Sequence, residues 1–148
     1  MNIKTKRFGE IDIDPKSTIH FPSGLLGFAK SKDFVLLDPS KKSPLKWLQS
    51  VDEPELAFVV TDPLIFKPDY EIRVFESDLL ELKVEDPSTV VQLVIVTVPR
   101  DPARMTANLK GPLLINTANN IARQLVLDNP DYEIKHRLLS DAASAKAV

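Results

Sequence analysis

Along most of the chain, apolar and polar residues alternate with a period of two rather than the 3.6 of a helix. Near the start, Ile3 and Thr5 alternate with Lys4 and Lys6, and Ile11 and Ile13 with Glu10, Asp12 and Asp14. This pattern predicts a hairpin in which Lys6 pairs with Glu10. Arg7, Phe8 and Gly9 then form a three-residue loop, with Gly9 in the left-handed conformation such loops require. In that register Lys4 faces Asp12 and Ile3 faces Ile13, placing opposite charges on one face and apolar pairs on the other.

The same reading predicts strands at 18–21, 34–37, 45–49, 56–61, 70–75, 90–98, 113–116, 121–127 and 132–138. The 90–98 segment is apolar at almost every position, so a central strand covered on both faces is expected. In the last segment Tyr132, Ile134, His136 and Leu138 alternate with Glu133, Lys135 and Arg137, which predicts a half-buried strand. The best short-helix candidate runs from Ser77 to Leu82, with Ser77 as its N-cap. Five Asp-Pro dipeptides, beginning at Asp14, Asp38, Asp62, Asp86 and Asp101, fall at or near strand ends. Proline removes a ladder donor and the aspartate can accept a forward hydrogen bond, so each is expected to stop a strand and start a turn.

The expected fold is all-β: a small antiparallel β-barrel-like domain with one or two short helices. It occupies residues 1–140 as a single domain, and 141–148 form a flexible C-terminal tail with little to bury.

Charge refines this picture because it is unevenly spread. Residues 1–50 carry nine Lys/Arg against five Asp/Glu, residues 51–98 three against eleven, and residues 99–148 seven against five. An acidic middle disfavours direct nucleic-acid binding, which needs clustered cations, and suits a basic protein partner or a solvated face. With no cysteine, disulfides, thiolate metal sites and cysteine nucleophiles are excluded. The first residues lack the apolar core of a signal peptide, and no stretch has the ~20 apolar residues of a membrane span. A cytoplasmic protein without a membrane anchor is expected.

Catalytic chemistry finds little support. His20 and His136 lie outside any metal-ligand spacing, and each is read as a hydrogen-bonded rim histidine. Gly24 and Gly27 suit a tight turn that aims Leu25, Leu26 and Phe28 into the core, not a phosphate loop. Trp47 sits in an alternating strand and is read as core packing rather than a binding anchor. Asn108, Asn116, Asn119 and Asn120 fall at strand ends, where turn chemistry accounts for them. No cofactor or metal is expected, and an enzyme reading rests on nothing specific, which leaves open only a hydrolase or isomerase with an unsignalled carboxylate site.

Three longer segments then stand out in order: FPSGLLGF at 21–28, WLQSVDEPELAFVVTDP at 47–63 and NLKGPLLINTANNIARQLVL at 108–127. With the tyrosine-led segment from Tyr132, they resemble the FliW flagellar assembly factor family, over about residues 3–139. The match departs most around Lys41-Lys42 and in the tail. The resemblance implies a monomeric, non-enzymatic β-rich protein with two alternative partners. One is flagellin, bound before export; the other is CsrA, a small RNA-binding translational repressor. Freed FliW binds CsrA, relieves repression of flagellin synthesis, and does so allosterically. The alternative is a small β-barrel that binds RNA or serves as another protein-interaction module. Because CsrA must be basic to bind RNA, Glu71, Glu76, Asp78, Glu81, Glu85 and Asp86 are the candidate partner-binding residues.

Overall fold

The structure is a computed structural model that describes residues 1–39 and 42–139; the expected tail at 141–148 lies outside them. In chain order the strands are β1 (Asn2–Thr5), β2 (Gly9–Asp12), β3 (Ile19–His20), β4 (Asp33–Leu37), β5 (Lys46–Ser50) and β6 (Ala57–Thr61). One short helix follows, α1 (Glu76–Glu81). The remaining strands are β7 (Val90–Thr97), β8 (Thr106–Ala107), β9 (Leu113–Asn116), β10 (Ile121–Gln124) and β11 (His136–Arg137).

Strands β7-β6-β5-β4-β3-β10-β9 are neighbours in that order, and β9 pairs back onto β7. The sheet thus closes into a near-barrel ring of seven strands. Every contact in the ring is antiparallel except β10–β3, which meet in parallel at Ile121 and His20. Closure depends on β7 serving two neighbours in succession. Its first half, from Val90 to Leu93, pairs with β9; from Val94 onward it pairs with β6, and its end also takes β8. β11 then extends the sheet from β8.

Alternation along each ring strand sends one set of side chains inward. Phe21, Phe34, Leu48, Val60, Leu93 and Leu113 meet there, each fully or almost fully buried. Phe21 and Phe34 pack edge to face at 5.5 Å. Each such side chain contributes about 1.5–3 kcal/mol by leaving water. Three outer layers cover the opposite set. The β1–β2 hairpin lays Ile3 and Ile13 on Val35 of β4. Leu82, at the end of α1, packs on Leu114 and Leu125. Tyr70 and Tyr132 close over Val94, Val96 and Leu109. β7 is therefore covered on both faces through its middle, as its composition predicts. Its flanks are not: Val91 and Val98 are exposed.

Several expectations are corrected. The hairpin register is Thr5 with Gly9, Lys4 with Glu10 and Ile3 with Ile11. It is displaced by two residues, so the loop is Lys6-Arg7-Phe8. An even displacement keeps every side chain on its face, and alternation alone is blind to it. The Thr5 hydroxyl decides the register: it accepts from Phe8 N–H and donates to the Gly9 carbonyl, both at 2.8 Å. Gly9 does have a positive φ, +67°.

The 70–75 segment is not a strand. Its alternation arises because Ile72 and Val74 lean on the outside of the ring, without ladder pairing. In 132–138 only His136–Arg137 pairs. A turn at Ile134-Lys135 interrupts the segment and leaves Ile134 exposed. Helix α1 begins two residues earlier than expected, with Phe75 rather than Ser77 as N-cap; Asp78 accepts the Phe75 N–H at 3.1 Å.

Four of the five Asp-Pro pairs open a single 3-10 turn. Asp14, Asp62, Asp86 and Asp101 each accept from the backbone N–H two residues on, and proline occupies the first helical position. Asp38-Pro39 opens no such turn in the described residues.

Two stability predictions follow from the outer layers. A Cβ at Gly9 meets nothing within 4 Å, so Gly9→Val carries only the cost of the left-handed backbone, about 1–2 kcal/mol. Its Tm should fall by about 3–8 °C in a thermal melt, with the fold unchanged. Tyr70 is buried and donates to the Leu109 carbonyl at 2.6 Å. Burial, with the neighbouring Tyr132 adding to it, raises its phenol above the ordinary 10.0. A raised folded-state pKa contributes stability that is complete below the unfolded value and is lost as pH rises toward the folded one. Denaturant midpoints should therefore fall above about pH 10. Tyr70→Phe should cost about 1 kcal/mol at neutral pH and show a shallower alkaline loss. Equal alkaline slopes in the two proteins would contradict this role.

Candidate partner-binding surface

The segment from Glu71 to Asp86 wraps the outside of the ring, with α1 in its middle, and holds all six candidate acids. They are not equivalent. Glu71, Glu76 and Glu85 are exposed and have no ion-pair partner among the described residues. Asp78 is buried; besides accepting the Phe75 N–H, it lies 3.5 Å from the Arg123 guanidinium. Glu81 makes a direct ion pair with the same guanidinium and accepts from the Ser23 hydroxyl at 3.4 Å. One cation from β10 thus ties α1 to the ring and neutralises two of the six acids.

Asp86 is exposed but engaged at its own turn, accepting from the Ser88 N–H and hydroxyl at 3.0 and 2.8 Å. Those hydrogen bonds, the backbone one foremost, hold its carboxyl below the ordinary carboxylate value. It stays charged, yet its lone pairs are partly spent. The three glutamates are the acids with full freedom to meet a partner.

The three segments singled out in the sequence build much of the scaffold. In WLQSVDEPELAFVVTDP the buried Gln49 amide donates toward the carbonyls of Ser50, Glu53, Pro54 and Leu56, at 3.0–3.4 Å. The Ser50 hydroxyl accepts the Asp52 and Glu53 N–H groups, and the Glu53 carboxylate accepts from Ser31. Together they hold the β5–β6 loop.

In the 108–127 segment, Asn116 and Asn119 donate to the Leu82 carbonyl at 3.0 and 3.1 Å, satisfying a helix-end acceptor that α1 leaves open. Asn116 also accepts from Thr89 and from the Ala118 N–H. Asn120 takes a left-handed φ of +57° and donates to the Lys16 carbonyl. These asparagines thus bridge separate elements as well as forming turns, which spacing alone gave no signal of.

FPSGLLGF is a tight turn, and at Gly24 a Cβ would lie 2.7 Å from the Ala29 Cα. Of the three side chains expected to point into the core, only Leu25 is buried; Leu26 and Phe28 are exposed. Trp47 corrects the core-packing expectation. It is half-buried on the outer side of β5, with the Arg7 guanidinium 4.4 Å over its ring and Phe8 edge-on at 5.9 Å. His20 sits on the exposed rim, 2.8 Å from Asp33, and His136 is half-buried in β11.

Among the described residues no group of three His, Cys, Asp or Glu is placed to hold a metal ion. No described helix is long and apolar enough to cross a membrane.

Against known proteins, a family model described as FliW protein matches residues 2–138. A flagellar assembly factor FliW of Thermoanaerobacter pseudethanolicus is 40% identical over 146 residues, covering 98% of this chain and 97% of its own. One from Geobacter sulfurreducens is 43% identical over 147 residues, covering 99% and 92%. A crystal structure of the flagellar assembly factor FliW superposes with a TM-score of 0.88 at 37% identity, covering 95% of this chain and 99% of that one.

The Arg123 hub yields a prediction. Arg123→Met keeps the aliphatic packing but leaves the buried Asp78 without its cation. The guanidinium is partly exposed, so the cost should be about 1–2 kcal/mol rather than the 3–5 of a fully buried pair. Adding Asp78→Asn should recover part of it, because the unpaired charge is removed. A double variant no more stable than Arg123→Met would contradict the pairing, as read from urea midpoints.

Proposed function

The chain belongs to the FliW family, and on that premise we propose that it is a cytoplasmic, non-enzymatic flagellar assembly factor that binds flagellin and, alternatively, the translational repressor CsrA. Near-full-length identity to relatives named flagellar assembly factors carries this reading. Binding to CsrA would lift repression of flagellin synthesis once flagellin has been exported, coupling synthesis to export.

The acidic segment suggests how. The exposed Glu71, Glu76 and Glu85, with Asp86 beside them, would face the basic repressor and speed encounter. Asp78 and Glu81, neutralised by Arg123, would contribute less. Held against CsrA, the same charges need not fill the RNA-binding surface to weaken it. Phosphates arriving within a Debye length of about 8 Å would be repelled while contacts elsewhere keep the complex together. Linkage then requires RNA to weaken this protein's hold on CsrA by the same factor.

The experiment uses the triple variant Glu71→Gln, Glu76→Gln, Glu85→Gln. Its association rate with CsrA should fall several-fold at low salt and little at high salt. At equal, saturating occupancy it should release less RNA than the wild type. An unchanged rate at both ionic strengths would assign these acids to solubility. Equal RNA release would rule out repulsion while leaving partner binding intact. Capture of neither flagellin nor CsrA by the wild type would overturn the function itself.

A further inference from the structure

The ladder between β9 and β10 runs past the ends of both strands. Leu125 N–H donates to the Pro112 carbonyl and Leu127 N–H to the Lys110 carbonyl, each at 2.8 Å. Pro112 has no N–H to return, and the Lys110 N–H is taken by the Asn108 side chain, so the pairing there is one-sided. In such a ladder the intervening residues turn their N–H and C=O the other way. On that side β10 meets only β3, at the single pair Ile121 and His20, before the chain turns off at Pro22. The Val126 N–H and C=O consequently have no hydrogen-bond partner among the described residues, and the residue is 71% exposed.

This open edge floors a groove. A cleft of about 480 Å³ lies between the 24–29 turn, Arg73, Phe75 and residues 124–127. A second, of about 420 Å³, continues past Arg73, Phe75 and Val126 to Asp128 and Tyr132. Leu26 and Phe75 stand exposed on its walls, at 61% and 57%. Arg73 lies between the two clefts with its guanidinium 5.2 Å from the Phe75 ring. It has no carboxylate partner among the described residues. Glu71 and Asp128, both exposed, mark the far end.

We propose that the edge at residues 124–128 is a β-augmentation site, taking an extended segment of a partner polypeptide as an added strand. The unpaired Val126 backbone groups supply the ladder bonds, and such bonds read an extended backbone of any sequence. The walls set the rest. The incoming strand carries apolar side chains at alternate positions against Leu26 and Phe75, a carboxylate near its middle for Arg73, and a cation at the end that meets Glu71 and Asp128. The five residues of the edge offer roughly 17 Å of pairing length. The site stands on this geometry and not on which protein supplies the strand, so it goes beyond the partners proposed above.

The test titrates isotope-labelled protein with two capped heptapeptides of alternating valine and threonine. Each has a central aspartate, with lysine at one end or the other. At millimolar concentration one of them should shift the amides of residues 124–128 and slow hydrogen exchange at the Val126 N–H. Val126→Pro deletes that donor and breaks no hydrogen bond of the fold, and should weaken binding at least tenfold. Val126→Thr should bind like wild type. Arg73→Gln should weaken binding three- to tenfold, as should lysine in place of the peptide aspartate.

No shift with either peptide, or undiminished binding by a folded Val126→Pro variant, would overturn the site. So would concentration-dependent shifts of these amides without peptide, which would assign the edge to a second copy of the chain. These outcomes are read at Val126 and Arg73, whereas the CsrA association measurement varies Glu71, Glu76 and Glu85; Glu71 borders both surfaces, but failure of either measurement leaves the other standing.

Discussion

The structure depends on β7 being shared. Eight residues long, it gives its first half to β9 and its second to β6. A sheet strand has only two sides, so this succession turns an open sheet into a ring and spares both neighbours an unpaired edge. Val94 and Val96 can then face outward and Leu93 and Ile95 inward, each against a packed layer. A polar residue at Val94 or Leu93 would disturb a core on one face or the other, which accounts for the unbroken apolar run from Leu93 to Val96.

Closing a ring with strands of two to eight residues leaves many backbone groups beyond the ladders. Side-chain amides take up part of that demand. Gln49 serves the β5–β6 loop, Asn116 and Asn119 serve the end of α1, and Gln124 accepts the Leu26 N–H while donating to the Gly111 carbonyl. The segments that identify the family are largely this internal hydrogen-bond frame. They therefore carry little direct information about the exposed glutamates, which lie outside them, whereas residues 124–127 of the open edge lie at the end of the last of these segments.

Alternation made most of the ring strands legible in the sequence, because an inward face and an outward face were both being recorded. It failed where a second physical cause produced the same pattern. Ile72 and Val74 alternate by leaning on the ring without pairing, and the register of the first hairpin turned on the Thr5 hydroxyl, which period-two reasoning does not see. The two-residue strand at Thr106–Ala107 is too short to leave a period. At the surface, the charge count located the acidic segment but treated its six acids alike. That Arg123, more than forty positions away, neutralises two of them is a fact of the fold alone. The open edge at Val126 was likewise hidden, since it arises from where β3 ends rather than from any residue of β10.

On this account a rigid ring, closed at β7, carries two softer surfaces. The direct measurement is native-state hydrogen exchange followed residue by residue under increasing denaturant. Amides of β4, β5, β6, β7 and β9 should converge on one opening free energy equal to that of global unfolding. The segment from Glu71 to Asp86 should open at lower cost, as should residues 124–128. If β9 and β10 instead open as a unit well below the β4–β6 strands, β7 does not close the ring, and the account of the fold fails at its centre.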